Sequence, residues 1–258
     1  MANYNVKDYD DHDQFGIDRD GSYDHTAKRL ALSIEELDKL IEGKFVLDLG
    51  SGPALFAKRC YIKEVKDSSY KGPKKVESMN IRINDPKYVD SYKHRDGDLK
   101  FSKINIQTES FHIPILGTEG VMDDDIKNAI ERAEDNFSSL DWNDLIKLPL
   151  NIYDVIISHN GFPYYSDLDA EFIVQDNKWF KSKITVSDKD LGVFKGIGHV
   201  LKPGGIAYLT PNHKLNIEKW NNSDSNDKQE IIDTLISVGC TFEFVNNQGK
   251  DLIVIRKS

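Results

Sequence analysis

Apolar residues along the chain fall into short continuous runs separated by longer amphipathic stretches, the pattern of buried parallel strands alternating with helices. The clearest run, Lys44-Phe-Val-Leu-Asp-Leu49, leads into Gly50-Ser-Gly-Pro-Ala54 and then into Leu55-Phe-Ala-Lys-Arg-Cys-Tyr-Ile62. That order predicts a strand, a glycine loop and a helix, the opening of a doubly wound α/β unit. Upstream, Ser33-Ile-Glu-Glu36 has the form of a capping box; Leu37, Leu40 and Ile41 follow at helical spacing, and Gly43 ends the helix. Further strands are predicted at 76–79, 103–106, 153–158, 205–210, 241–245 and 252–255. The last two flank Asn246-Asn-Gln-Gly249, a turn signal, and so predict an antiparallel hairpin at the end of the sheet.

Two stretches do not fit the alternation and read as insertions on one core. The first, about 117–149, carries an amphipathic helical pattern (Ile126, Ile130, Ala133, Phe137). The second, about 168–187, contains Trp179-Phe180. No linker divides the chain, which reads as an N-terminal arm over 1–32 and a single domain over 33–258. Residues 1–25 are rich in Asp, Tyr and Gly without a sustained apolar period, and are expected to be an irregular arm, mobile when alone.

Composition narrows the class. The 258 residues include 39% hydrophobic and 30% charged side chains, which suits a globular core. No apolar run reaches the roughly 18–20 residues of a membrane-spanning helix, and the first residues lack a secretory pattern. A soluble, cytoplasmic protein with no membrane partner is expected. Asp and Glu total 43 against 34 Lys and Arg, a formal charge of -9, which argues against a nucleic-acid partner. Lys71-Gly-Pro-Lys-Lys75, the one dense basic stretch, reads as a solvated loop. Cys60 and Cys240 have no metal-ligand spacing, and Asp123-Asp-Asp125 reads as a helix start, so no metal site is expected.

A glycine loop after a buried strand lets backbone approach a ligand closely and aims the next helix N-terminus at it. A phosphate-binding P-loop is excluded, since Gly-x-x-x-x-Gly-Lys-Ser/Thr is absent. The dinucleotide fingerprint requires glycine at position 55, where the chain has Leu55, which argues against a nicotinamide-dependent oxidoreductase.

The segment Val46-Leu-Asp-Leu-Gly-Ser-Gly-Pro-Ala54 resembles motif I of the class I S-adenosylmethionine (SAM)-dependent methyltransferases. Three later segments match that family in the same order. Glu109-Ser-Phe-His-Ile-Pro-Ile115 resembles the segment after the third strand, Tyr153-Asp-Val-Ile-Ile-Ser158 the fourth strand, and Val200-Leu-Lys-Pro-Gly-Gly-Ile206 the turn into the fifth. The resemblance implies an α/β fold with a doubly wound, mostly parallel seven-stranded sheet and an antiparallel last strand, here with insertions after strands 3 and 4. It implies SAM as cofactor, with Asp48, Gly50, Ser51 and Gly52 at its amino-acid end and Glu109 at the adenine, Ser110 and Ser158 completing the set. Carboxylates suit the cofactor's sulfonium and ammonium better than they suit a pyrophosphate. The ribose would meet either Asn80, which stands where the family has an acid, or Asp85. Ala54 stands where a third glycine is usual.

Methyl transfer from a sulfonium is an in-line displacement that positioning and exclusion of water can drive, so no obligatory catalytic side chain is implied. His159 as a base and Tyr164 as a pocket wall are the candidates after strand four, each with an alternative structural reading. The arm segment Tyr23-Asp-His25 is a candidate lid. The acceptor is expected to be a small molecule or a protein; a SAM-binding regulatory or scaffolding protein without catalysis is the alternative.

Overall fold

A strand built from consecutive large apolar residues has no polar face and must be covered on both sides. Strands β1 (Phe45–Leu49) and β4 (Tyr153–Ser158) are of this kind, and they lie side by side at the centre of a seven-stranded sheet. The computed structural model describes residues 22–50, 54–80, 124–139, 142–158, 161–163, 166, 168–175, 178–211 and 215–258. The remaining strands of the sheet are β2 (Lys75–Asn80), β3 (Phe137–Ser139), β7 (Leu201–Leu209), β8 (Cys240–Asn247) and β9 (Lys250–Lys257). Their spatial order is β3-β2-β1-β4-β7-β9-β8, with β9 alone running against its neighbours. This is the expected doubly wound α/β sheet with its antiparallel last strand. The β8–β9 hairpin turns at Gln248 and Gly249, both at positive φ, as a tight two-residue hairpin turn requires.

Alternation along β1 sends its side chains into two cores. Leu47 and Leu49 pack with Ile156, Phe194, Trp220 and Ile253 on the face covered by α5 (Asp188–Val200), α6 (Ile217–Asn221) and α7 (Asn226–Ser237). Val46 packs with Val76, Phe56 and Ala133 on the other face. That face is covered by α1 (Ser22–Arg29), α2 (Ile34–Ile41), α3 (Leu55–Lys66) and α4 (Asp124–Asp135). The free thiol of Cys240 lies in the first core and that of Cys60 in the second. The Ser33–Glu36 capping box forms as its spacing predicts.

The structure differs from the sequence expectation in two places. From Ser22 onward the arm is helical and packed: Tyr23 and Ala27 are buried, Tyr23 stacks on Phe56, and its hydroxyl donates to Asp38. Buried Thr26 interrupts that apolar face and hid its period. The described part of the first insertion also belongs to the core. Helix α4 packs on α3, and β3 pairs with β2 as the third strand of the sheet. Phe137, assigned above to the helical pattern, opens that strand; Phe-Ser-Ser is too short and polar to announce one. The strand predicted at 103–106 lies outside the described residues.

The second insertion is a separate antiparallel pair, β5 (Asp169–Gln175) and β6 (Lys178–Thr185). Its base is anchored: Leu168, Ala170 and Ile184 are buried in the first core. Lys219 Nζ on α6 donates to Ala170 O at 2.7 Å, and Ser182 Oγ donates to Lys219 O. Among the described residues no helix is long and apolar enough to cross a membrane.

Candidate functional site

In an open parallel sheet the ligand crevice lies beyond the carboxyl ends of the strands where the winding reverses. Here the reversal falls between β1, from which the chain proceeds outward to β2 and β3, and β4, from which it proceeds the other way. Two connections leave the sheet at that point: the glycine loop after β1 and the loop after β4.

Asp48 sits one residue before the end of β1, paired in register with Ser78 on β2 and Ile157 on β4. It is 1% exposed, and neither carboxylate oxygen has a hydrogen-bond partner among the described residues. Burial raises its pKa from 3.8 to about 7. Ser78 Oγ, on the register partner of Asp48 in β2, is likewise buried without a partner among the described residues, as are Trp142 Nε1 in the first core and Asn151 Oδ1 ahead of β4. Buried polar atoms are nearly always satisfied, and the adjacent Asp48 and Ser78 favour a polar or cationic ligand group there. Beneath it, burial pushes the Cys60 thiol well above its ordinary value, and the Asp48 charge adds to the shift.

Gly50 turns the chain at φ 87°, a conformation that favours glycine, and its N–H donates to Met79 O at 2.7 Å. Ser158 Oγ, fully buried, donates to Leu49 O at 2.8 Å; Ser158 O in turn accepts from Thr210 N at 2.8 Å and from Thr210 Oγ1 at 3.2 Å. A hydrogen-bonded rim therefore joins the carboxyl ends of β2, β1, β4 and β7 and fixes the mouth of the glycine loop. Ala54 precedes α3 in the left-handed region, at φ 60° and ψ 33°. Glycine adopts this conformation freely, whereas a Cβ disfavours it.

Of the sequence-predicted residues, Asp48, Gly50 and Ser158 meet at this rim, and the backbone of Asn80 ends β2 beside it. Ser51, Gly52, Asp85, Glu109, Ser110, His159 and Tyr164 lie outside the described residues. Sequence reasoning missed two things. The first is β3 itself, Phe137–Ser139, which is followed in sequence by Leu140-Asp141-Trp142 and so offers Asp141 beside Glu109 as an acid after a third strand. The second is Gly161, buried in the loop after β4, where a lone glycine carries no motif signal.

Neither a protein-family model nor a curated protein sequence matches the chain. Several solved structures resemble it distantly. One is a Methanococcus maripaludis chain assigned as a SAM-dependent methyltransferase, at 15% identity and TM-score 0.44, covering all of this chain and 97% of that one. An amino pentose methyltransferase from Micromonospora echinaspora, solved with SAM bound, gives 11% identity and TM-score 0.44 over all of this chain and 99% of that one. TYW2 from M. jannaschii, in complex with AdoMet, gives 12% and 0.41, covering 90% and 73%. The class that the strand order itself defines is the Rossmann-like α/β fold, the one implied by the resemblance to class I methyltransferases.

Proposed function

We propose that the chain binds SAM at the Gly50 turn and transfers its methyl group to a small-molecule or protein acceptor in the cytoplasm. The observation that carries this reading is Asp48, a buried carboxylate without a partner among the described residues, at the point where the winding of the sheet reverses. SAM supplies an electrophilic methyl on a sulfonium, together with an ammonium that such a carboxylate suits. Asp48 would bind the cationic amino-acid end, the loop amides of Gly50, Ser51 and Gly52 its carboxylate, and Asn80 or Asp85 the ribose hydroxyls. The resemblance assigns the adenine amino group to the acid after the third strand. Glu109 is the acid the motif indicates; the position of β3 supports Asp141 over it for that role. Positioning and exclusion of water supply the catalysis, with His159 and Tyr164 as the residues after β4 that would face the acceptor. The acidic net charge favours a small-molecule or protein acceptor over a polyanion.

Calorimetric titration with SAM, S-adenosylhomocysteine and NAD tests the reading. Micromolar binding of the first two and none of NAD is expected; no binding of any of them would refute it. Asp141→Ala is expected to weaken SAM by about tenfold or more, the scale of one lost charged hydrogen bond, and Glu109→Ala by much less. Release of S-adenosylhomocysteine once an acceptor is offered distinguishes an enzyme from a protein that only holds SAM.

A further inference from the structure

The chain after β4 crosses the glycine turn at a distance that excludes a side chain. A Cβ placed on Gly161 would overlap the carbonyl oxygen of Leu49, and would lie 2.5 Å from Ser158 Oγ and 3.0 Å from Gly50 Cα. The first and third of these are backbone atoms, so relief cannot come from turning a flexible side chain aside; one backbone must move away from the other. The Leu49 carbonyl is held from a second direction by the Ser158 hydroxyl at 2.8 Å. The Gly50 amide is held from a third by Met79 O at 2.7 Å. Phe162 prevents Gly161 from lifting off: it is fully buried, with its ring edge-on to Trp142 at 6.0 Å and to Phe194 at 4.9 Å.

We propose that Ser158 and Gly161 are positioning residues for the Leu49–Gly50 turn, Ser158 by fixing the Leu49 carbonyl and Gly161 by leaving room for it. The Ser158 hydroxyl proton is committed to Leu49 O, so this residue acts on a ligand through the turn and not by donating to it. The inference rests on the reading of that turn as the SAM site. It also ties the two loops flanking the crevice together, so that the cofactor side and the acceptor side cannot shift independently.

The test compares Gly161→Ala and Ser158→Ala with Gly198→Ala. In the last, the added methyl would collide with Val238 behind α5, away from the turn. Each variant is assayed for SAM affinity by calorimetry, for melting temperature, and for hydrogen exchange at the Gly50 amide. Gly161→Ala is expected to weaken SAM at least about tenfold and to speed Gly50 exchange, since displacements near 1 Å at a binding site have effects of this size or larger. Gly198→Ala should lower the melting temperature and leave SAM affinity within about twofold. Ser158→Ala adds no bulk, should shift the same two site readouts in the same direction, and decides the matter if Gly161→Ala does not fold. Wild-type SAM affinity and unchanged Gly50 exchange in both site variants would overturn the proposal. If the wild type binds no SAM yet both variants speed Gly50 exchange, the positioning stands and the cofactor reading falls. No SAM binding with unchanged exchange overturns both.

Discussion

Asp48 is a carboxyl group whose burial works against the folded state whenever it is ionised. Its pKa is raised from 3.8 to about 7, so between those values the folded protein holds a proton that the unfolded chain has released. Stability from this group is therefore greatest at low pH, declines as pH rises toward about 7, and levels off above it. Asp48→Asn removes the ionisation. The variant is expected to melt well above the wild type at pH 8 and close to it at pH 4, measured as melting temperature against pH, while its SAM affinity falls. A variant less stable at pH 8 would mean that the carboxylate is satisfied within the fold. Ala54 shows a more balanced trade. Its left-handed backbone costs about 1 kcal/mol relative to a right-handed one, and burying its methyl group returns about 0.8 kcal/mol. Neither effect dominates, so alanine is tolerated where glycine is usual.

Elements on the α3 side are held by charge as well as by apolar contact. Lys58 on α3 reaches Glu134 on α4 at 2.6 Å, with the lysine side chain 2% exposed and the glutamate 23%. Burial lowers the lysine pKa, and the glutamate opposes that shift. Glu134→Ala withdraws this carboxylate from a buried ammonium. It should cost about 2–3 kcal/mol in urea unfolding, less than the ~3–5 kcal/mol of a fully buried pair because Glu134 is partly exposed. Lys58→Met combined with Glu134→Leu should recover most of the loss. The same helix pair marks the limit of what the sequence discloses. β1, β4 and the β8–β9 hairpin were legible because their apolar runs and turn residues act locally. β3 was not, because three residues with two serines become a strand only when β2 offers an edge and α4 sets them beside it. Asp48 and Gly50 were legible from the motif. Gly161 was not, because what demands glycine there is the Leu49 carbonyl, more than a hundred residues earlier in the chain.

At the scale of the whole molecule, the sheet is a partition. The rim of hydrogen bonds joins the carboxyl ends of four strands, while the two apolar cores are sealed on opposite sides. Each compartment contains one thiol, Cys60 at 0% exposure and Cys240 at 3%, both less acidic than a free cysteine because they are buried. A thiol in that state reacts with an alkylating reagent only when its surroundings open. The protein thus carries two built-in clocks, one per side of the partition, that can be read separately by peptide mass spectrometry. A ligand seated on the Gly50 turn should slow the Cys60 clock and leave the Cys240 clock running at its former rate. If both slow by the same factor, the two sides open only together, and the sheet joins the two compartments into one cooperative unit.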